Sequence, residues 1–264
     1  MKGIISEKLR RRLRRIVRKE MGVFYNDKAH GFKHLYEVHK NFISLVKSKP
    51  KVNRDILESL ECAVILHDIG RAFIDSKKHG EKSAEIIKRV LKNEKDLKLP
   101  NKEWIVYAVR WHSECDEIFR KQKTEPRKGK EEWICLAFLT FLDHMDTLGE
   151  RGIRRAKEYL GKEVPLIPKD GPHVKLTKIK NLKAWFKNPR RENIKRVRKK
   201  KSLLEHLLSN YFWIDKNIPR VKKYIGKEFE ERYKKMGKPI EKYLLHLIWK
   251  SSFYLDRLGR EKVN

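Results

Sequence analysis

An all-α fold is predicted for this 264-residue chain by three observations. Apolar residues recur at spacings of three and four along segment after segment, which places them on one face of a helix. No stretch alternates apolar and polar residues as a half-buried strand would. Hydrophobic residues make up 39% of the chain against 13 Gly and 9 Pro, which supports a packed core and excludes collagen-like and disordered classes.

From the N-terminus, Leu9, Leu13, Ile16 and Val17 form a first stripe between arginines, and Leu35, Val38, Phe42, Leu45 and Val46 a second. Ile56, Leu57, Leu60, Val64 and Ile65 form a third, and Gly70 supplies its stop, so the pair His67 and Asp68 is expected at a helix C-terminus. Further helices are expected over 81–91, with Ala84, Ile87 and Leu91 inward, and over 102–112, with Trp104, Ile105, Ala108 and Val109 inward; NEKDLKLPN is the loop between them. The run WICLAFLTFL, 133–142, is apolar on nearly every side and reads as a central helix buried by its neighbours, with Asp143, His144, Met145 and Asp146 directly after it.

The run GKEVPLIPKDG, 161–171, breaks the pattern with Pro165, Pro168 and two glycines. It divides the chain into a first domain, 1–164, and a basic helical region, 165–264. In the second, a basic run at 195–201 leads into an amphipathic helix carrying Leu203, Leu204, Leu207, Leu208, Tyr211 and Phe212. A last helix near 240–258 repeats the design with Leu244, Leu247, Ile248 and Trp249.

The chain holds 66 Lys plus Arg against 35 Asp plus Glu, a formal charge of +31. Richness in Lys and Glu suggests a thermophile, but that habit raises both signs together. The excess therefore predicts attraction to polyanions such as RNA, DNA or nucleotides, with a merely solubilising surface as the alternative. Cys62, Cys115 and Cys135 are widely spaced and form no C-x-x-C pair, which excludes a disulfide framework or zinc finger and fits a reducing cytoplasm. The longest apolar run is half the roughly 20 residues that span a bilayer, and SEKLRRRLRRIVRKE lacks a signal-peptide core, so a soluble, unprocessed, cytoplasmic protein without membrane contact is expected.

Imidazole and carboxylate together bind divalent first-row metals. Adjacent residues on a helix point about 100° apart, so His67 and Asp68 can share an ion only beyond the helix end, and other helices must complete the site. His34, His79, His112 and Asp143 are the candidates, each at the edge of an apolar stripe. Singly, each has a bland reading as a capping or surface residue. Their order and spacing do not.

In that order the chain resembles the HD-domain metal-dependent phosphohydrolase superfamily, most closely its small bacterial and archaeal members. HGFKHLYEV is similar to their first histidine helix, LHDIG to the signature pair, KHGEKSAEII to their H-x-x-x-S-A segment, RWHSE to their H-S segment and LDHMDTLGERGIRRA to their D-A-D-x-L-D-x-L-G-x-x-G-I-x-R block. The likeness covers 29–156, with Glu37 where an arginine is usual and His144 where an alanine is. It implies a helical bundle of the HD type with the basic C-terminal extension packed on it. It implies that His34, His67, Asp68 and Asp143 bind one divalent ion (Mn, Fe, Ni, Co, Zn or Mg), and that His79 and His112 bind a second or contact substrate. His30 competes with His34 for the ligand role, but Gly31 and the stripe from Leu35 place it before the helix, and the role goes to His34.

The activity implied is hydrolysis of a phosphomonoester, phosphoanhydride or phosphodiester of a nucleotide by a metal-activated water. In that scheme Asp68 orients or deprotonates the water, and His79 or His112 protonates the leaving oxygen. Arg71, Lys78 and Lys82 either clamp phosphate or are ordinary solvated charges. Asp146 either meets a ligand hydroxyl or holds a histidine of the site. The alternative partner is nucleic acid, cut or simply bound, with RRRLRR and the 195–201 run tracking the backbone and Trp185, Phe186, Tyr211, Phe212 and Trp213 either stacking bases or filling a core. A diiron oxygenase is a more distant reading. Oligomeric state is not legible in the sequence.

Overall fold

The computed structural model describes residues 3–27, 30–74, 78–114, 129–160, 207, 218, 220–236, 238–239 and 242–243. Cys115, the Pro-Gly break at 161–171, the basic run at 195–201, Trp185, Phe186, Tyr211, Phe212 and Trp213 lie outside these residues, as do nearly all of the two C-terminal amphipathic helices. The described residues contain helices and turns and no strand, so the chain is all-α. None of their helices is long and apolar enough to cross a membrane.

The chain divides into two compact units: Met1–Asp146 with Ile218–Glu230, and Thr147–Asn217 with Glu231–Asn264. The first unit contains α1 (Glu7–Met21), α2 (Phe32–Lys47), α3 (Arg54–Leu66), α4 (His79–Asn93), α5 (Lys102–Trp111) and α6 (Lys130–Met145). The second contains α7 (Gly149–Leu160), whose Lys157 ammonium sits 4.8 Å from the centre of the Tyr243 ring.

Local signals set the helix starts. Ser6 Oγ accepts from Leu9 N–H at 3.2 Å and opens α1, and Asn53 Oδ1 accepts from Ile56 N–H at 2.9 Å and opens α3. α4 begins at His79, two residues before the sequence pattern places it, because the first turn carries no apolar residue to announce it. α6 runs on to Met145, so Asp143 lies in its last turn and not past its end. Trp104 and Leu91, expected inward, are half-buried.

α6 is the axis of the first unit. Its residues 133–142 are all buried, and it packs against α2, α3 and α5. A segment from the far end of the sequence joins it: Tyr224 lies 6.1 Å from Phe138 and Phe229 lies 6.4 Å from Phe141, ring centre to ring centre. Lys51 N–H also donates to Tyr224 O at 2.7 Å, which ties the segment to the turn after α2.

The N-terminus is fastened by a buried charge. Glu61 on α3 is fully buried; its Oε2 accepts from Ile4 N–H at 2.6 Å and Ile5 N–H at 3.0 Å, while its Oε1 accepts from Arg10 Nε at 2.8 Å and pairs with His39 Nε2 at 2.9 Å. Burial alone would raise this carboxyl, but the His39, backbone and Arg10 hydrogen bonds outweigh it and hold the pKa at about 2. Glu61→Gln removes the buried counter-charge of Arg10, leaving it only the half-exposed Glu7, and is expected to lower the unfolding free energy by about 3 kcal/mol. Because the folded value lies below the ordinary 4.5, this contribution is present above pH 4.5 and is lost as pH falls towards 2. Urea unfolding of both proteins at neutral and acid pH should therefore show a shallower acid destabilisation in the variant.

Candidate metal centre

Five helix ends meet at one point in the first unit. α2 brings His34, the exit of α3 brings His67 and Asp68, the start of α4 brings His79, the end of α5 brings His112 and the last turn of α6 brings Asp143. Two glycines permit the approach. A Cβ on Gly70 would lie 2.4 Å from His79 O, and one on Gly80 would lie 2.7 Å from Arg110 O. The first keeps the turn Ile69–Ala72 against the start of α4, where Gly70 N–H donates to Ser83 Oγ at 2.8 Å; the second seats α4 on α5.

The imidazoles are oriented by their Nδ1 atoms. His67 Nδ1 donates to Val64 O at 2.9 Å and His112 Nδ1 to Val109 O at 2.6 Å; a carbonyl can only accept, so the ring proton is on Nδ1 in both. His34 Nδ1 faces the Asp146 carboxylate at 2.8 Å and takes the same tautomer. Each Nε2 then presents a lone pair, and these lone pairs point at one another and at carboxylate oxygens. His34 Nε2 is 3.2 Å from His67 Nε2, 3.1 Å from Asp143 Oδ1 and 3.4 Å from Asp68 Oδ2. His79 Nε2 is 3.0 Å from His112 Nε2 and 3.2 Å from Asp68 Oδ1.

Neutral rings in this arrangement repel, so something positive belongs between them. A proton is a poor candidate at His67, whose pKa burial pushes down to about 4 against the pull of Asp68 and Asp143. Asp68 Oδ1 is buried without a hydrogen-bond partner, which is costly for a carboxylate oxygen unless a cation faces it. Burial would raise the Asp68 carboxyl, yet the Arg71 guanidinium, its Nε 3.0 Å from Oδ2, and the surrounding imidazoles hold it well below the usual range. Asp143, one-fifth exposed, is likewise held low against its burial by His34, His67 and His144. The donors fit a divalent ion: His34, His67 and Asp143 form one group whose ligand atoms lie within 4.8 Å of one another, and His67, Asp68 and His112 form another.

His30, set aside in the sequence because it precedes α2, also reaches this centre. Its Nδ1 is 3.6 Å from Asp68 Oδ2, and with His34 and Asp68 it forms a third group of candidate ligands. The signal was the four-residue spacing from His34, which returns to the same side even when the first residue lies in the turn before the helix. Lys82 pairs with Glu85 at 2.9 Å, and Lys78 is exposed one residue before His79. His144 Nδ1 donates to Thr140 O at 2.9 Å, and Glu37 lies 3.7 Å from Lys40.

Residues 31–148 match the family model of the HD domain. Over these residues the chain is similar to the HD-domain superfamily. This is a superfamily of metal-dependent phosphohydrolases, and its HD domain here spans every helix end that meets at the centre. A crystal structure of a protein from Lactobacillus plantarum aligns with a TM-score of 0.57 at 16% identity, over 95% of this chain and 99% of that one, a likeness of fold. No curated protein matches the chain.

Asp146 accepts the proton that fixes the His34 tautomer, so Asp146→Ala is expected to weaken binding of a divalent ion by roughly 10- to 100-fold. Metal titration of the stripped protein, followed by calorimetry, measures the change. An unchanged affinity would remove His34 from the ligand set.

Proposed function

We propose that this HD-domain protein hydrolyses a phosphoester or phosphoanhydride bond of a nucleotide, using two divalent ions that share Asp68. The supporting observation is the placement of that carboxylate. Its Oδ2 faces His34 and, less closely, His67, and its Oδ1 faces His79 and His112. In this reading His34, His67, Asp68 and Asp143 hold one ion, and His79 and His112 join Asp68 in holding the other. Imidazole-rich donors suit Mn, Fe, Co, Ni or Zn better than Mg.

Ions in such a site supply a water that ionises near neutral pH and positive charge for the phosphoryl oxygens. The protein's own groups set the rest. His112 carries a proton on Nδ1, donated to Val109 O, which turns its Nε2 towards the centre, where it can serve as a ligand or pass a proton. Arg71 keeps Asp68 ionised and brings a guanidinium to the edge of the centre, where it can meet a phosphoryl oxygen. Asp143 is the most exposed of the proposed ligands to the first ion and marks the side from which substrate arrives.

A nucleic-acid substrate is the second reading, raised by the charge of +31. Within the N-terminal tract, however, Arg10 is held by Glu61 and Glu7, Arg11 by Glu7 and Arg12 by Glu94 and Asp96, so these charges are already matched inside the protein.

A screen of nucleoside mono-, di- and triphosphates, cyclic dinucleotides and single-stranded RNA across divalent metals tests the proposal. Turnover of a nucleotide with Mn or Co, and loss of both bound metal and turnover in Asp68→Ala, is the expected result. Turnover confined to RNA, falling by powers of ten between low and moderate salt, would assign the second reading instead. Arg71→Ala is expected to raise KM about tenfold while metal content stays unchanged.

A further inference from the structure

The first helix divides its residues sharply between two sides. α1 packs on α3 and on the turns Gly22–Asn26 and Ile69–Ala72, and buries Leu13, Ile16, Val17 and Met21. On its opposite side Lys8, Arg11, Arg15, Arg18 and Lys19 are exposed, all within about 100° of one another around the axis. At about 1.5 Å per residue they form a ridge about 16 Å long.

The acids near this ridge are engaged by other residues. Glu7 pairs with Arg10 and Arg11, Glu20 with Arg89, and Glu94 and Asp96 with Arg12. Lys8, Arg15, Arg18 and Lys19 have no carboxylate within 4.0 Å among the described residues, and Arg11, though bonded to Glu7, is 76% exposed. Like charges three and four residues apart on a helix repel, so the row is held at a cost that a polyanion laid along it would relieve. Two features select that polyanion. No apolar residue falls within the arc, whereas a helix that settles into a lipid surface turns apolar side chains towards it. A straight row of one sign also matches a straight row of the other: one strand of a duplex carries a phosphate every 3.4 Å or so, about five along the ridge. Guanidinium groups grip phosphate oxygens with paired N–H donors.

We propose that the exposed face of α1 docks the phosphate backbone of a nucleic-acid duplex, with Arg15 and Arg18 among the phosphate contacts. Backbone contacts carry no base information, so docking is independent of sequence. It needs no ion at the metal centre and stands whatever that centre hydrolyses.

Fluorescence anisotropy of a labelled RNA duplex of about 20 base pairs, titrated with the full-length protein across a range of salt, tests this. Replacing both Arg15→Gln and Arg18→Gln should weaken binding roughly tenfold or more at low salt. It should also make the slope of log K against log salt shallower by about two, since each phosphate contact contributes about 0.9. Melting temperature and metal content should not change. Replacing both Lys47→Gln and Lys51→Gln, exposed at and after the end of α2, removes the same charge elsewhere and should leave the slope as it was. Any part played by the 195–201 run is common to all three proteins, so the difference isolates α1. A second duplex of unrelated sequence should bind within about threefold of the first. Equal loss of slope in the two paired variants would reduce the effect to diffuse charge and overturn the proposal. Binding abolished by EDTA while the fold persists overturns it too, by placing the duplex at the metal centre. So does tighter binding to vesicles of phosphatidylserine and phosphatidylcholine than to the duplex, lost in the arginine variant.

Discussion

A carboxylate with almost no access to water must find positive charge nearby, and Asp68 imposes that demand on the first unit of this protein. Arg71 answers it from three residues away at Oδ2. Around it the imidazoles of His34, His67 and His112 turn their protons outward, to Asp146 and to carbonyls, so the interior of the cluster is rich in lone pairs. Helix ends are the only places where the chain can gather so many such groups at one point. The convergence of α2 to α6 on one spot, and the bare glycines that let α3, α4 and α5 close on each other, follow from that requirement.

Glu61 shows what a buried carboxylate looks like when the protein satisfies it alone. Both its oxygens are covered by donors from Ile4, Ile5, Arg10 and His39, and nothing is left over. Glu61 lies midway along α3 and Asp68 two residues past its C-terminal end, with the same kinds of partner within reach, and they differ in what remains unmatched. Glu61 is a fastener. Asp68 keeps an oxygen without a donor, which is the mark of a place built to receive something.

The histidine-aspartate cluster was legible in the sequence because each member sits where an apolar stripe stops, and stripes are what periodicity reports. His34, His67, Asp68, His79, His112 and Asp143 are all brought together. His30 was less legible, since it lies before the helix that carries the apolar pattern. The Glu61 network was hidden for a different reason: Arg10 looks like any member of RRRLRR, and no local rule marks which arginine of a cationic tract turns inward.

The packing of Tyr224 and Phe229 against α6 has a consequence for how the molecule is made. α6 is finished about 80 residues before these rings emerge from the ribosome, and at 5–20 residues per second that is a wait of several seconds or more. During it, Phe138 and Phe141, the most buried rings of the axis, lack part of their final cover. The first unit is thus discontinuous in the gene though continuous in space, with part of the second, Thr147–Asn217, synthesised between its two segments. Its last step is a long-range closure, the slow and aggregation-exposed kind. A stop codon placed after Asp146 would encode every helix end of the metal centre and still leave its central helix incompletely clothed.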